Sequence, residues 1–424
     1  MKTCTKKTWT TKTWTTKTRT APRRRGVLAG SLSLAALALG LGLGPASAQD
    51  AQPFKIGHLA DQSGAVVDLS GPGTTTSMRM AIEDFGGTVL GRPIELVVGD
   101  HLNKPDVGVG LARKWYDDDV KAIFDIGITS VALGVQELAK EKDKAVIFLS
   151  SASSDLTGKA CSPNGIHWTY NNYSQALGVV NQLMKSGGDT WYFMTVDYAY
   201  GDNVQRDTTK MIEKDGGTVV GSTKHPFETT DFSSDLLKAQ SSGAKVIGLA
   251  TTTVHAANVV KQADEFGIRP NQALAALSLT LLDTKAMGLQ TAQGLLETAP
   301  YYWDQNDETR AFAKRYMERF GKMPNMIQAS AYGAVMHYLN AVQAAGTDDT
   351  AAILAKMKET PINDFMTKDG SIRPDGRVMR QMYVFQVKKP EDSTGEWDLY
   401  EQVAEIPADQ AFAPADPSVC PLAK

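Results

Sequence analysis

The chain has 424 residues, with 44 lysines and arginines against 47 aspartates and glutamates. Its first 48 residues hold nine of the basic groups and no acidic one, so the remainder carries a formal charge of −12. That sign excludes a nucleic-acid or anionic-membrane binder, both of which need a basic face. The remaining length, about 376 residues, is enough for two domains.

The opening segment reads as an export signal. Residues 1–20 repeat Thr, Lys and Trp without apolar periodicity, Arg23, Arg24 and Arg25 follow, and an apolar run covers 27–43. Pro45-Ala46-Ser47-Ala48 then supplies an A-x-A site, so cleavage after Ala48 is expected. A membrane anchor is the rival reading, but the run is built of Gly and Ala as much as Leu, and a polar stretch without positive charge follows. No cysteine stands just after the run, which argues against a lipid anchor, and no later run of about 18 apolar residues could span a bilayer. Export by the general or the twin-arginine route stays open. The expectation is a soluble periplasmic protein.

From residue 54, short apolar runs alternate with amphipathic segments. Strands are predicted over 54–60, 94–99, 122–126 and 145–149, and helices over 74–85, 107–116 and 131–142. The pattern pauses between 150 and 174. It resumes with strands at 190–196, 218–222 and 245–250 and helices at 203–215, 232–241 and 256–266. Such alternation implies βαβ units and parallel sheets. The two series echo each other: Phe85-Gly86-Gly87-Thr88-Val89-Leu90-Gly91 parallels Asp215-Gly216-Gly217-Thr218-Val219-Val220-Gly221, each with paired glycines where a left-handed helix cap is needed. Beyond 295 come helices at 309–320, with Asp307 as N-cap and Gly321 closing it, 327–345 and 351–358. Strands at 382–387 and 397–403 follow, and then an irregular Ala/Pro-rich tail, 407–421. Two cysteines remain after removal of the leader, Cys161 and Cys420, both in polar proline-flanked loops, and a disulfide between them is expected in an oxidising compartment.

Catalytic signatures are absent: no GxSxG elbow, phosphate loop, HExxH or CxxC occurs. The six histidines are scattered, and the run Asp117-Asp118-Asp119 reads as a solvated turn. No enzyme, metal or cofactor is expected. Hydroxyl-rich sequence instead marks the carboxyl ends of predicted strands, at Gly127-Ile128-Thr129-Ser130, Ser150-Ser151-Ala152-Ser153-Ser154 and Thr251-Thr252-Thr253. Ligands of open α/β sheets bind beyond those ends, where helix N-termini offer unpaired N–H groups. Helix capping accounts for any one cluster; three at the same edge of two sheets point to a binding site.

In order and spacing, Ile56-Gly57, Ser63-Gly64, Gly91 to Val97, Gly127 to Ala132, Tyr200-Gly201 and Thr230 to Ser233 resemble the leucine/isoleucine/valine-binding family of ABC-transporter receptors, with the type I periplasmic binding fold. The resemblance implies two lobes joined by three crossings, near 171–174, 298–303 and 377–381. Lobe 1 would comprise 54–172 and 300–378, lobe 2 would comprise 173–299 and 379–406, and 407–424 would form the tail. It implies a small-molecule ligand between the lobes, a membrane permease as partner, and a monomer. Carried over by position, Ser130 is the carboxylate-binding hydroxyl and Ser151, Ala152 and Ser153 the second loop. Tyr200, Thr251 and Thr252 belong to the second lobe. Where amino-acid binders of the family place an acid for the ammonium group, this chain has Ala276-Leu277-Ser278-Leu279-Thr280. The ligand is therefore expected to carry a carboxylate but no α-amino group, unless Asp68 reaches the cleft to substitute. Trp168, Tyr170 and Tyr173 form either an aromatic wall for the ligand or ordinary core. A branched-chain amino-acid receptor, a sensor feeding a signalling partner and a secreted hydrolase are the alternatives.

Overall fold

The computed structural model describes residues 52–424 apart from Pro270, so the expected signal segment lies outside the described residues. The first lobe is organised by strands β1 (Phe54–Ala60), β2 (Thr88–Val89), β3 (Arg92–Asp100), β4 (Val120–Asp125), β5 (Ala145–Phe148) and β6 (Gly165–His167), in the sheet order β2-β3-β1-β4-β5-β6. Pairing is parallel throughout except between β2 and β3. The helices α1 (Gly71–Phe85), α2 (Pro105–Asp117) and α3 (Thr129–Glu141) make the crossovers. β1, β4 and β5 read as near-continuous apolar runs because helices cover both of their faces, and Phe54, Ile56, Phe124 and Ile147 are fully buried. β6 lies inside the expected pause. Three residues are too few to show a period, and β6 is fixed by pairing with β5 and by a bridge from His167 to Arg377.

The second lobe begins with α4 (Asn172–Lys185), which the sequence reading did not predict. Its start is set by a capping box: Asn171 accepts from the Ser174 N–H, while the Ser174 hydroxyl is within bonding distance of the Asn171 N–H. The next strands are β7 (Thr190–Val196), β8 (Thr218–His225), β9 (Val246–Ala250) and β10 (Ala273–Ala276), in the order β10-β9-β7-β8, all parallel. Helices α5 (Ala199–Lys214), α6 (Ser233–Ser241) and α7 (Thr253–Glu265) connect them, and two short helices, α8 (Leu281–Met287) and α9 (Leu289–Ala292), follow β10. The paired glycines act as read, since Gly86 and Gly216 both adopt positive φ just past their helices.

The chain next forms β11 (Leu296–Ala299), and then α10 (Asp307–Phe320), α11 (Met326–Ala345) and α12 (Thr350–Glu359). α1 and α11 pack closely, returning this part of the chain to the first lobe. The N-cap of α10 is Asn306, not Asp307, again through a capping box, here with Thr309. The strands β12 (Ile362–Asp364), β13 (Thr367–Ile372) and β14 (Val378–Met379) form a small antiparallel sheet absent from the sequence reading. β15 (Met382–Val387) and β16 (Tyr400–Ile406) join β11 in a three-stranded sheet, with β16 starting three residues later than predicted. Both lobes are thus α/β layers with mainly parallel central sheets, the type I periplasmic binding arrangement. The tail is irregular, and Cys161 and Cys420 form the expected disulfide. No helix among the described residues is long and apolar enough to cross a membrane.

Candidate functional site

Strand ends from both sheets border one narrow cavity. From the first lobe it is lined by Val66, Leu69, Gly127, Ile128, Thr129, Ser150, Ala152 and Tyr170. From the second come Gln175, Tyr198, Tyr200, Phe227, Thr252, Ser278 and Thr280. No Lys, Arg, Asp or Glu side chain is among them. The empty space is about 580 Å³, of which only about 50 Å³ admits the centre of a water molecule. The lobes are therefore nearly shut.

Local sequence explains how each wall is held. β4 runs into the cavity through Asp125 (φ 87°) and Ile126 (φ 63°), two non-glycine residues in left-handed conformations that cost energy and recur at functional sites. The turn delivers the N-terminus of α3 to the cavity. Beneath it, the buried Asp125 carboxylate accepts from the Ser150 hydroxyl and lies 2.9 Å from His58 Nε2, while His58 Nδ1 reaches Thr75 Oγ1 at 2.8 Å. The Tyr170 hydroxyl donates to the Ser150 carbonyl at 2.9 Å. In the second lobe, Gly201 permits close packing after Tyr200, since a Cβ there would strike the Val196 carbonyl. Burial pushes up the phenol pKa of both Tyr198 and Tyr200, so both hydroxyls keep their protons, and Tyr200 pairs with Ser278.

Polar contacts cross between the lobes beside the cavity. The Thr129 N–H at the start of α3 donates to the Tyr198 hydroxyl at 2.8 Å. Asn203 Nδ2 donates to Ser153 Oγ at 3.0 Å, and Arg206 lies 3.3 Å from Asp155. The first of these places a neutral hydroxyl where a helix N-terminus would otherwise hold an anion.

Of the residues expected at the site, Ala152, Tyr170, Tyr200, Thr252 and Ser278 line this cavity. Ser130 borders an adjoining cleft with Tyr198 and Phe227. Ser151 is buried, its hydroxyl without a hydrogen-bond partner among the described residues, and Ser153 serves the contact between the lobes. Thr251 is buried against His225, 3.0 Å away. Asp68 does not reach the cavity: its carboxylate pairs with Lys322 at 2.7 Å and is largely exposed. Nor do Trp168 and Tyr173 form a wall. Trp168 is fully buried with the Arg380 guanidinium 5.4 Å above its ring, and Tyr173 lines a separate groove with Leu177, Met211 and Phe412. The sequence reading passed over Gln175, Tyr198, Phe227 and Thr280 as site residues, and named Ser150 only within its hydroxyl-rich cluster. The spacing Tyr198-Ala199-Tyr200 at a strand end was the available signal for Tyr198.

Behind the second-lobe wall, Glu297 on β11 is buried near Tyr400 and Asp283, and burial raises its carboxyl to about 8. The fold thus holds a proton that the unfolded chain releases near the ordinary value of 4.5. Stability is expected to fall as pH rises from about 4.5 to about 8 and then to level off. Urea midpoints at pH 5 and pH 8 test this: Glu297→Gln should flatten the difference, and an unchanged difference would refute the assignment.

Two α/β lobes thus face each other across one shared cavity whose lining carries no charged side chain. The chain belongs to the periplasmic binding protein family, whose pattern matches residues 53–395. A periplasmic binding protein from Burkholderia mallei is similar at 41% identity, with a TM-score of 0.83, covering 86% of this chain and 97% of its own. A structure from Burkholderia xenovorans, described as a branched chain amino acid ABC transporter periplasmic ligand-binding protein, is 40% identical with a TM-score of 0.77, covering 85% and 97%. The Leu/Ile/Val-binding protein homolog 7 of Brucella suis is 26% identical over 262 residues, and this match spans 58% of the present chain and 62% of that relative.

Proposed function

We propose that this chain is the soluble periplasmic receptor of an ABC importer, a monomer that closes on a small carboxylate-bearing solute and presents it to a membrane permease. The cavity shared by both lobes carries this reading, because only a ligand touching both walls favours the closed state. Lobe 1 comprises 54–172 and 300–378, lobe 2 comprises 173–299 and 379–406, and crossings near 171–174, 298–303 and 377–381 act as the hinge. The carboxylate sits at the N-terminus of α3, where backbone N–H groups and the helix dipole favour negative charge. The uncharged lining disfavours an α-ammonium group, since burying one without a charge partner costs several kcal/mol. Tyr170, Tyr198, Tyr200 and Phe227 offer flat apolar faces suited to an aromatic or short-chain acid.

A branched-chain amino acid such as leucine is the rival ligand, since the similar Burkholderia xenovorans protein is a branched chain amino acid ABC transporter periplasmic ligand-binding protein. A thermal-shift screen of aromatic acids, aliphatic acids, amides and amino acids decides between them. A true ligand at 100 times its dissociation constant adds about 2.7 kcal/mol of stability. The largest shift is expected from a carboxylic acid without an amino group. A largest shift from leucine would overturn that part of the reading, and turnover of any bound compound would overturn the receptor itself.

A further inference from the structure

Four hydroxyls lining the cavity already direct their protons away from it. A hydroxyl has one proton to give and two lone pairs to offer. Ser150 donates to Asp125, Tyr170 donates to the Ser150 carbonyl at 2.9 Å, and Thr280 donates to Asp283 at 2.5 Å. Thr252 is committed through two histidines. His255 Nε2 lies 2.7 Å from the Phe227 carbonyl and must donate to it, so in the neutral ring Nδ1 can only accept, and Thr252 Oγ1 lies 2.9 Å from it. The ring is neutral because burial lowers its pKa. Thr251 does not supply that proton, because His225 donates from Nδ1 to the Pro226 carbonyl at 3.0 Å and its Nε2 takes the Thr251 proton.

Tyr198 is held differently. Its hydroxyl accepts from the Thr129 N–H and also bonds the Thr129 and Ser130 side chains at the start of α3. The cavity is thus divided by polarity: a donating end at the start of α3, and an accepting wall made by hydroxyls of both lobes. The two acids that fix Ser150 and Thr280 lie outside the lining.

We infer that the physiological solute carries at least one hydroxyl group besides its carboxylate, which donates to the lone pairs of Ser150, Tyr170, Thr252 or Thr280. This rests on the reading that the cavity encloses an acidic solute. A ligand lacking that hydroxyl would leave buried acceptors unpaired, as would its methyl ether, and should bind roughly ten- to hundred-fold more weakly.

Matched pairs in isothermal titration test this with the full chain: 4-hydroxybenzoate and 3,4-dihydroxybenzoate against benzoate and 4-methoxybenzoate, and 2-hydroxyisocaproate against isocaproate and leucine. Within at least one series the hydroxy acid should bind ten-fold or more tighter than its deoxy partner. Ser150→Ala or Thr280→Val should shrink that gap. Thr280 also begins α8, so Ser150→Ala keeps the test intact if Thr280→Val fails to fold. Equal binding of hydroxy and deoxy acids, a methyl ether as tight as its phenol, or leucine as the tightest ligand would each overturn the inference. A carboxylate-free probe, 4-hydroxybenzyl alcohol, separates the two claims. If it binds while every acid fails, the carboxylate reading falls and the hydroxyl inference stands; if nothing in the panel binds, both fall.

Discussion

Cys420→Ser is expected to lower the stability of the oxidised protein by about 2–5 kcal/mol, the largest single loss foreseen here. The bond joins residues 259 positions apart, and for a loop of that size the chain-entropy model gives a ceiling of roughly 5 kcal/mol. The native contacts it protects are local. The tail places Phe412 4.5 Å from the buried Arg377 guanidinium, and Arg373 donates to the Ala413 carbonyl at 2.8 Å. Arg377 in turn donates to the Tyr170 carbonyl at 2.9 Å, beside the ligand cavity. Releasing Cys420 should therefore speed amide exchange over 407–420 and at Arg377 before it disturbs the sheets. A reductant should reproduce the effect in the wild type. Equal melting temperatures for oxidised, reduced and substituted protein would contradict this account of the tail.

The second large effect falls on binding. Tyr198→Phe removes the hydroxyl that accepts from the Thr129 N–H across the lobe boundary. In the closed state that N–H would then be buried without its partner, a penalty of about 1–3 kcal/mol. Affinity should fall roughly ten- to hundred-fold, because every 1.4 kcal/mol is a factor of about ten. The fold should be unaffected, since the open form lets water satisfy the same N–H. Arg206→Ala is the contrasting case. Its ion pair with Asp155 also spans the lobes, but the arginine side chain is 37% exposed, and such a pair contributes under about 1 kcal/mol. Equal losses from the two substitutions, measured by calorimetry on one ligand, would show that Tyr198 holds no special place.

Most of the scaffold was legible because it depends on local pattern. β1 and β7 have the predicted bounds, as both are apolar runs between turn residues. α4 was missed although Ala176, Val179, Val180 and Leu183 carry a helical stripe, because its polar start was read only as a crossing. The strands β6, β12 and β14 have two or three residues and exist through their partners rather than through periodicity. The site was less legible than the fold. A strand end tells which residues stand near a cleft, and together with the resemblance and the first crossing it drew attention to Ala152, Tyr170, Thr252 and Ser278. It does not tell which side chain turns inward. Trp168 lies two residues before Tyr170 yet packs under Arg380, while Tyr170 reaches the cavity. Asp68 was placed by its charge, and Lys322, 254 positions away, holds it outside. The direction of each hydroxyl proton depends on its partner: Asp125 on β4 for Ser150, and His255 on α7 and Asp283 on α8, each three residues on, for Thr252 and Thr280. Nothing at Ser150 or Thr252 alone announces it.

The most direct test of the whole account is a crystal structure of the protein with the tightest acid from the screen. It should show one molecule enclosed between the lobes, its carboxylate at the start of α3 beside the Tyr198 hydroxyl and its remaining polar group against Ser150, Tyr170, Thr252 or Thr280. A ligand bound to one lobe alone, or in the groove beside Tyr173 and Phe412 with the central cavity vacant, would contradict it.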